Sequence, residues 1–313
     1  MLDKKLLQQF SIVAARAAYS SSLLKGKNDK IAADQAAVDS MRNYLNKIEM
    51  NGKIVIGEGE MDEAPMLYIG EKLGTGEGEL LDIAVDPLDG TTLTAKNLPN
   101  AISVIAVSES GNLLQAPDTY MEKIAIGPGY PENIIDLDNS IETNLKNIAE
   151  FKSIKTSDLT VCLLERDRHD KIVSSLNKLS TKIKFISDGD VLGAIYTCVD
   201  KFNVDMYVGV GGAPEGVLAA AAIKCFGGQF QGRLVISNND EKLRATKLGI
   251  RDMKKKYYLN DLVKGDVIFC AAGVTDGEML KGIRIDGSNF MADLLVLHSE
   301  NKINKIYTET LEI

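Results

Sequence analysis

Tryptophan is absent from this 313-residue chain, histidine occurs twice, and the four cysteines never stand close together. With only His169 and His298, and with Cys162, Cys198, Cys225 and Cys270 widely separated, a zinc site built from histidines and cysteines is not expected. The cysteines read as reduced core residues. No apolar run approaches membrane-spanning length. The opening Met1-Leu2-Asp3-Lys4-Lys5 lacks a signal-peptide layout, so the expected compartment is the cytoplasm, with no membrane partner. An excess of basic residues is missing too. Lys and Arg number 36 against 44 Asp and Glu, a formal net charge of −8, which argues against a nucleic-acid partner. An anionic substrate must therefore meet a local cluster of cations and metal rather than a basic face. No Gly-x-x-x-x-Gly-Lys-[Ser/Thr] segment exists. The run Gly209-Val210-Gly211-Gly212-Ala213-Pro214 fails the dinucleotide fingerprint because proline takes the third glycine's place. Repeats and low-complexity tracts are lacking.

What remains is ordinary globular composition, 45% hydrophobic and 26% charged, in a chain long enough for two domains. Helices are expected over 3–24 and 28–49, with Gly26 between them. Strands follow at 53–56, 80–86, 101–108 and 121–127, then an amphipathic helix over 138–151. A second alternating series comprises strand 159–164, helix 168–179, strand 182–186, helix 190–198, strand 204–210 and helix 214–225. Strands near 266–272, 281–286 and 290–298 close the chain. This is α/β with mixed sheets. A polar stretch at 152–158 marks the expected boundary, giving domains 1–155 and 156–313.

The most informative segment is Asp82-Ile83-Ala84-Val85-Asp86-Pro87-Leu88-Asp89-Gly90-Thr91-Thr92. An apolar strand carries carboxylates in and breaks at proline, leaving Asp86, Asp89 and the Thr91 hydroxyl on one turn. Hard divalent cations take oxygen ligands, and phosphate takes exposed backbone N–H groups beside them. An ordinary strand-ending turn uses the same residue types. A second acidic strand exit lies at Ile54-Val55-Ile56-Gly57-Glu58-Gly59-Glu60-Met61-Asp62, where Gly-Glu-Gly suits neither helix nor strand continuation. Asp34 sits in a helical pattern among small apolar neighbours. Glu215, in Gly211-Gly212-Ala213-Pro214-Glu215-Gly216, falls in the first turn of a helix, where N–H groups and the helix dipole favour anions. Taken singly, Asp34 also reads as a solvated helix residue and Glu215 as a favourable first-turn acid.

Over nearly its whole length the chain resembles the class II fructose-1,6-bisphosphatases, the GlpX type of bacteria. The motifs that carry the likeness are residues 54–68 and Asp86-Pro87-Leu88-Asp89-Gly90-Thr91, followed by Ala116-Pro117-Asp118-Thr119-Tyr120-Met121-Glu122-Lys123, Ser187-Asp188-Gly189-Asp190-Val191 and Gly211–Val217. The chain departs from some members at Asp89, where they carry Glu. It departs also at Arg166-Asp167-Arg168-His169, where they carry Lys-Pro-Arg-His.

The resemblance implies a layered αβαβα sugar-phosphatase fold with the active site between two α/β halves. It implies metal-dependent hydrolysis of the 1-phosphate of fructose 1,6-bisphosphate by a homodimer or homotetramer using Mn2+ or Mg2+. On this reading Asp34 and Glu58 hold one metal, and Asp86, Asp89 and Glu215 a second. Thr91 orients the attacking water, supported by Lys30 and Asp62. Asp89, Gly90 and Thr91 border the scissile phosphate. Asp188, Gly189, Asp190 and Gly212 meet the sugar, although Asp188 and Asp190 suit helix N-capping as well. Arg166, Asp167 and Arg168 take the distal phosphate, a planar guanidinium being suited to phosphate oxygens. Tyr120 closes the pocket, and His169 reads as structural. The alternatives are a broader sugar bisphosphatase that also accepts sedoheptulose 1,7-bisphosphate, an inositol-phosphate phosphatase, and a metal-dependent sugar-phosphate sensor.

Overall fold

A computed structural model describes residues 2–57 and 66–313. The first unit begins with α1 (Lys4–Ser22) and α2 (Lys30–Leu45), followed by β1 (Met50–Ile56), β2 (Lys72–Leu73), β3 (Glu79–Asp89), the short α3 (Thr91–Ala95) and β4 (Ile102–Glu109). Asp3 and Asp29 cap the two long helices by accepting from the N–H groups of Lys5 and Ala32. Ala14, Ala17, Ala18, Ala33 and Ala37 are all fully buried, which lets the helices approach closely. The helices form one layer whose apolar side joins Ile54, Ile83, Ile105, Cys270 and Leu294 of the sheet in a single core.

The chain then builds the second unit: β5 (Tyr120–Ile126), α4 (Ile141–Lys152), β6 (Thr160–Leu164), α5 (Asp170–Lys178), β7 (Lys182–Ile186), α6 (Asp190–Ile195), β8 (Met206–Gly212), α7 (Ala213–Phe226), β9 (Gln229–Val235), α8 (Asn239–Lys247), β10 (Lys256–Tyr258) and α9 (Leu259–Leu262). Its sheet runs β10-β9-β5-β8-β6-β7, with β6 parallel to both β7 and β8 and the remaining pairs antiparallel. Met206 and Val208 join α4 and α5 in one apolar cluster. Tyr207, on the opposite face of the same strand, meets α6 at Gly193. Helices therefore cover both faces.

Finally the chain returns to the first unit as β11 (Val267–Gly273), β12 (Arg284–Asp286), β13 (Asn289–His298) and β14 (Ile303–Glu312). That sheet has eight strands in the order β12-β13-β11-β4-β3-β1-β2, with β14 pairing β13. Each unit is a layered α/β structure built on a mixed sheet, as expected from sequence. The units divide differently from the expected boundary near 152–158, however. One comprises Met1–Leu114 with Gly265–Ile313, and the other Gln115–Lys264. The reason is long-range pairing: β5 joins β8 and β9, and β11 pairs with β4.

One carboxylate secures that return. Asp266, just before β11, accepts from His298 Nε2 (2.7 Å), Ser299 Oγ (2.7 Å), the Glu300 N–H (3.1 Å) and the Leu2 N–H (3.3 Å). Asn301 donates to His298 Nδ1, so the imidazole proton sits on Nε2 and points at Asp266. Burial alone would raise this carboxyl, but the His298 and Ser299 hydrogen bonds outweigh it and hold Asp266 below the usual carboxylate range. A depressed folded value stabilises the protein above the ordinary Asp range and loses that contribution as pH falls through the lower value. Asp266→Ala should lower the unfolding free energy by about 1–3 kcal/mol at neutral pH, because it leaves buried donors unanswered. The gap from the parent protein should shrink below about pH 4. Urea denaturation at both pH values checks this, and equal midpoints at neutral pH would count against it.

Candidate active site

In the first unit two local irregularities position Asp86, Asp89 and Thr91. Asp86 lies opposite Val104 of β4, whereas Asp89 lies opposite Ile102, so β3 carries one extra residue between them. In a regular strand, positions three apart point to opposite faces. Here Val104 and Ile102 share a face, so their partners Asp86 and Asp89 share it too. The bulge falls between Asp86 and Asp89, a stretch that contains Pro87, which has no N–H to give the ladder. The strand expected to stop at 86 therefore runs to Asp89, because the bulge absorbs the proline. Gly90 follows at φ +93°, where a Cβ would also lie 2.9 Å from Leu93, and the chain turns into α3 with Thr91 as its first residue.

The start of α2 is fastened to the end of α3. The Gly26 N–H donates to the Thr94 carbonyl (3.0 Å) and the Asn28 N–H to the Ala95 carbonyl (2.8 Å). Lys30, exposed at the first position of α2, and half-buried Asp34 one turn later thus belong to the same neighbourhood as α3. Asp89 is buried, and Asp86 and Thr91 are half-buried. Glu58 and Asp62 lie outside the described residues. Among the described residues, no group of three His, Cys, Asp or Glu is placed to hold a metal ion.

In the second unit the predicted residues gather at the carboxyl ends of the parallel strands. From β6 the chain passes to β7 on one side and then to β8 on the other, which makes β6 the switch point where open α/β sheets take ligands. Arg166, Asp167 and Arg168 follow β6, Asp188, Gly189 and Asp190 follow β7, and Gly212 ends β8. Arg166 Nη2 reaches Asp188 Oδ1 at 3.4 Å, and Asp167 is exposed. Arg168 donates to the Val210 carbonyl (2.9 Å) and lays its guanidinium 4.9 Å from the ring centroid of Tyr120, itself 50% exposed. Buried His169 staples this loop down. Its Nε2 accepts from the Val210 N–H and its Nδ1 therefore donates to the Leu164 carbonyl, both at 2.8 Å. Burial lowers its pKa, consistent with a neutral structural imidazole.

Neither Asp188 nor Asp190 caps α6. The cap position is Gly189, at φ +74°, and no side chain caps it. Asp190 Oδ2 instead accepts from Lys123 Nζ (2.6 Å) and the Tyr207 hydroxyl (3.2 Å). Lys123 is only 1% exposed, a buried cation that composition and periodicity do not reveal. Its one sequence signal was membership of the 116–123 motif. Burial, and next the Asp190 carboxylate, hold the Tyr207 phenol well above its ordinary value, so it stays a donor.

The glycines around Glu215 make room for this cluster. A Cβ on Gly211 would fall 1.9 Å from Asp190 Oδ2, one on Gly212 would fall 1.9 Å from Glu215 Oε2, and one on Gly216 would meet the Lys123 side chain at 3.3 Å. Glu215 stands in the first turn of α7 behind Pro214, as expected. Its Oε2 is sealed from solvent and has no hydrogen-bond partner among the described residues. Burial raises its pKa, and Lys123 opposes that rise. A buried carboxylate oxygen left unanswered among the described residues is the type of ligand a hard divalent cation takes, with Lys123 already supplying positive charge beside it.

The comparisons with known proteins agree with this chemistry. The family model for bacterial fructose-1,6-bisphosphatase, glpX-encoded, matches residues 4–310. The chain is 43% identical to fructose-1,6-bisphosphatase class 2 of Haemophilus influenzae, covering 97% of this chain and 96% of that one. It is 42% identical to fructose-1,6-bisphosphatase 1 class 2 of Escherichia coli K12, covering 96% and 93%. Among solved structures it is similar to the extragenic suppressor protein suhB of Bartonella henselae at 12% identity and a TM-score of 0.36, over 63% of this chain and 74% of that one. That last likeness is too slight to bear on fold or chemistry. Matched from residue 4 to residue 310, the chain belongs to the bacterial, glpX-encoded fructose-1,6-bisphosphatase family.

Proposed function

We propose that this protein hydrolyses the 1-phosphate of fructose 1,6-bisphosphate, giving fructose 6-phosphate and inorganic phosphate, as a gluconeogenic step in the cytoplasm. The observation that carries the reading is the near-complete match to class 2 fructose-1,6-bisphosphatases, in a chain that keeps an acid at each proposed ligand position and a hydroxyl at Thr91.

A phosphate monoester resists attack because its own charge repels the nucleophile. A bound divalent cation, Mn2+ or Mg2+, supplies charge neutralisation and acidifies water. Asp34 and Glu58 would hold one ion, and Asp86, Asp89 and Glu215 another. The Thr91 hydroxyl orients the attacking water and passes its proton on, with Asp62 as the acidic partner and Lys30 as the source of local positive field. The Gly90 and Thr91 backbone N–H groups receive the scissile phosphate alongside Asp89. Arg166 and Arg168, with Asp167 between them, take the distal phosphate, and the Tyr120 hydroxyl adds a further contact. Asp188, Gly189, Asp190 and Gly212 frame the sugar. The assembly is a homodimer or homotetramer.

Phosphate release from a panel of sugar bisphosphates, including sedoheptulose 1,7-bisphosphate, tests the activity directly. A chelator should abolish turnover and added Mn2+ or Mg2+ should restore it. Full turnover in metal-stripped, chelated protein would defeat the mechanism. Thr91→Ala should reduce kcat by about 10²–10⁴-fold, the usual contribution of a positioned proton-transfer group, while folding is preserved. Thr91→Ser, which keeps the hydroxyl, should retain part of the rate. A near-parental rate for Thr91→Ala would remove it from the chemistry.

The distal-phosphate assignment has its own signature. A group that binds equally in ground and transition states sets KM rather than kcat. Arg166→Gln or Arg168→Gln should therefore raise KM by roughly ten- to a hundred-fold, as for one lost charge-assisted hydrogen bond. Each variant should also lose most of its preference for the bisphosphate over the matching sugar 1-phosphate. Unchanged discrimination would make these arginines ordinary surface charges.

A further inference from the structure

Among the described residues, most outer strands of the two sheets are too short or too uniformly charged to invite a partner. β2 has two residues, β10 and β12 three each, and the five-residue β7 carries Lys182 and Lys184. β14 differs in being long and in carrying charges of both signs, Lys305, Glu309 and Glu312. β14 pairs β13 without interruption from His298↔Ile303 to Asn289↔Glu312, ten residues with no proline, glycine or bulge. Among the described residues its other edge pairs with no strand. Long, regular edges of this kind template the addition of another chain, and proteins usually blunt them.

We propose that β14 is the interface of a homodimer, in which two copies pair antiparallel with Tyr307 opposite its own counterpart. A two-fold axis demands a self-complementary strand, because residue i of one copy meets residue j of the other and the reverse. Centring on Tyr307 satisfies that demand. Lys305 falls opposite Glu309, twice by symmetry, and Ile303 falls opposite Leu311, also twice. Directly opposed residues share a face. All of these are odd-numbered, on the face where Ile303, Tyr307 and Leu311 pack against the core beneath α1. On the opposite face, Ile306 stands opposite Thr308 and Asn304 opposite Thr310, which covers an isoleucine that is 43% exposed in one copy.

Within one copy the two charges have no complementary cross-strand neighbour. Lys305 lies opposite Val296 and Glu309 opposite Ala292 on β13. Centring the pairing one residue away, on Ile306 or Thr308, sets Lys305 against Tyr307 or Leu311 and leaves it unanswered again. The charge pattern of β14 selects a single register.

The experiment reads mass rather than turnover, so it is independent of the proposed activity. Sedimentation equilibrium of the full chain should show a dimer at micromolar concentration. Lys305→Glu and Glu309→Lys each replace two attractive pairs by two repulsive ones. Each should weaken the dimer by about ten- to a hundred-fold, with unchanged circular dichroism. Mixing the two variants should restore association, because a Lys305→Glu copy presents two acids to the two lysines of a Glu309→Lys copy. The double exchange within one chain should dimerise like the parent. A monomeric parent overturns the proposal, as does a parent whose dimer ignores both charge reversals. So does a mixture that stays monomeric while both variants remain folded.

Discussion

A single buried ammonium organises the ligand end of the second unit. Lys123 comes from β5, and a charge so far from water persists only where it is paired and hydrogen-bonded. Asp190 supplies the pairing from the first turn of α6, and Tyr207 of β8 gives the same carboxylate a second donor. Two strands and a helix are thereby fixed against one another. The consequence reaches the surface. Asp190 sets where α6 starts, Gly189 turns the chain into it, and Asp188 is left just ahead, meeting Arg166 from the loop after β6. A side chain buried away from solvent thus determines where residues proposed to meet the substrate can stand.

The same pair accounts for a glycine run that invites a different explanation. Glycines before a helix commonly mean close backbone approach to phosphate. In Gly211-Gly212-Ala213-Pro214-Glu215-Gly216 they also mean room for side chains, since Asp190, Glu215 and Met121 occupy the space where methyl groups would stand. Gly57 behaves similarly: a Cβ there would lie 2.1 Å from the Leu67 carbonyl oxygen, so its departure from strand propensity has a packing cause. Glycine in a motif is therefore evidence of crowding, and the crowding partner has to be found in three dimensions.

Legibility in the sequence followed locality. The long helices, β3, β4, β6, β7, β8 and α7 were readable because capping residues and apolar periodicity are local signals. β9 was not, because it carries Gly232 and a buried Gln231 that accepts from the Leu137 N–H and donates to the Ile135 carbonyl. β14 was hidden for another reason. Its apolar residues Ile303, Ile306, Tyr307 and Leu311 fall at helical spacing, and only pairing with β13 makes it a strand. Of the site, carboxylates and turn glycines could be placed from sequence, because acids at strand exits and helix starts are conspicuous. The buried Lys123, the structural imidazole tautomer of His169 and the unanswered Glu215 oxygen depend on contacts between distant segments.

The first unit shows why its acidic turn needs proline as well as acids. Asp86 and Asp89 are three residues apart, a spacing that a regular strand would send to opposite faces, one toward the core and one away. An inserted residue reverses the parity, and a bulge loses least at a residue with no N–H to contribute. Proline thus brings both carboxylates to one face without sacrificing a ladder bond, and the positive φ of Gly90 turns the chain before the strand can continue past them. The two backbone hydrogen bonds from Gly26 and Asn28 to the end of α3 then bring in α2, and with it Asp34. The bulge is therefore what commits the strand to presenting both carboxylates on one face.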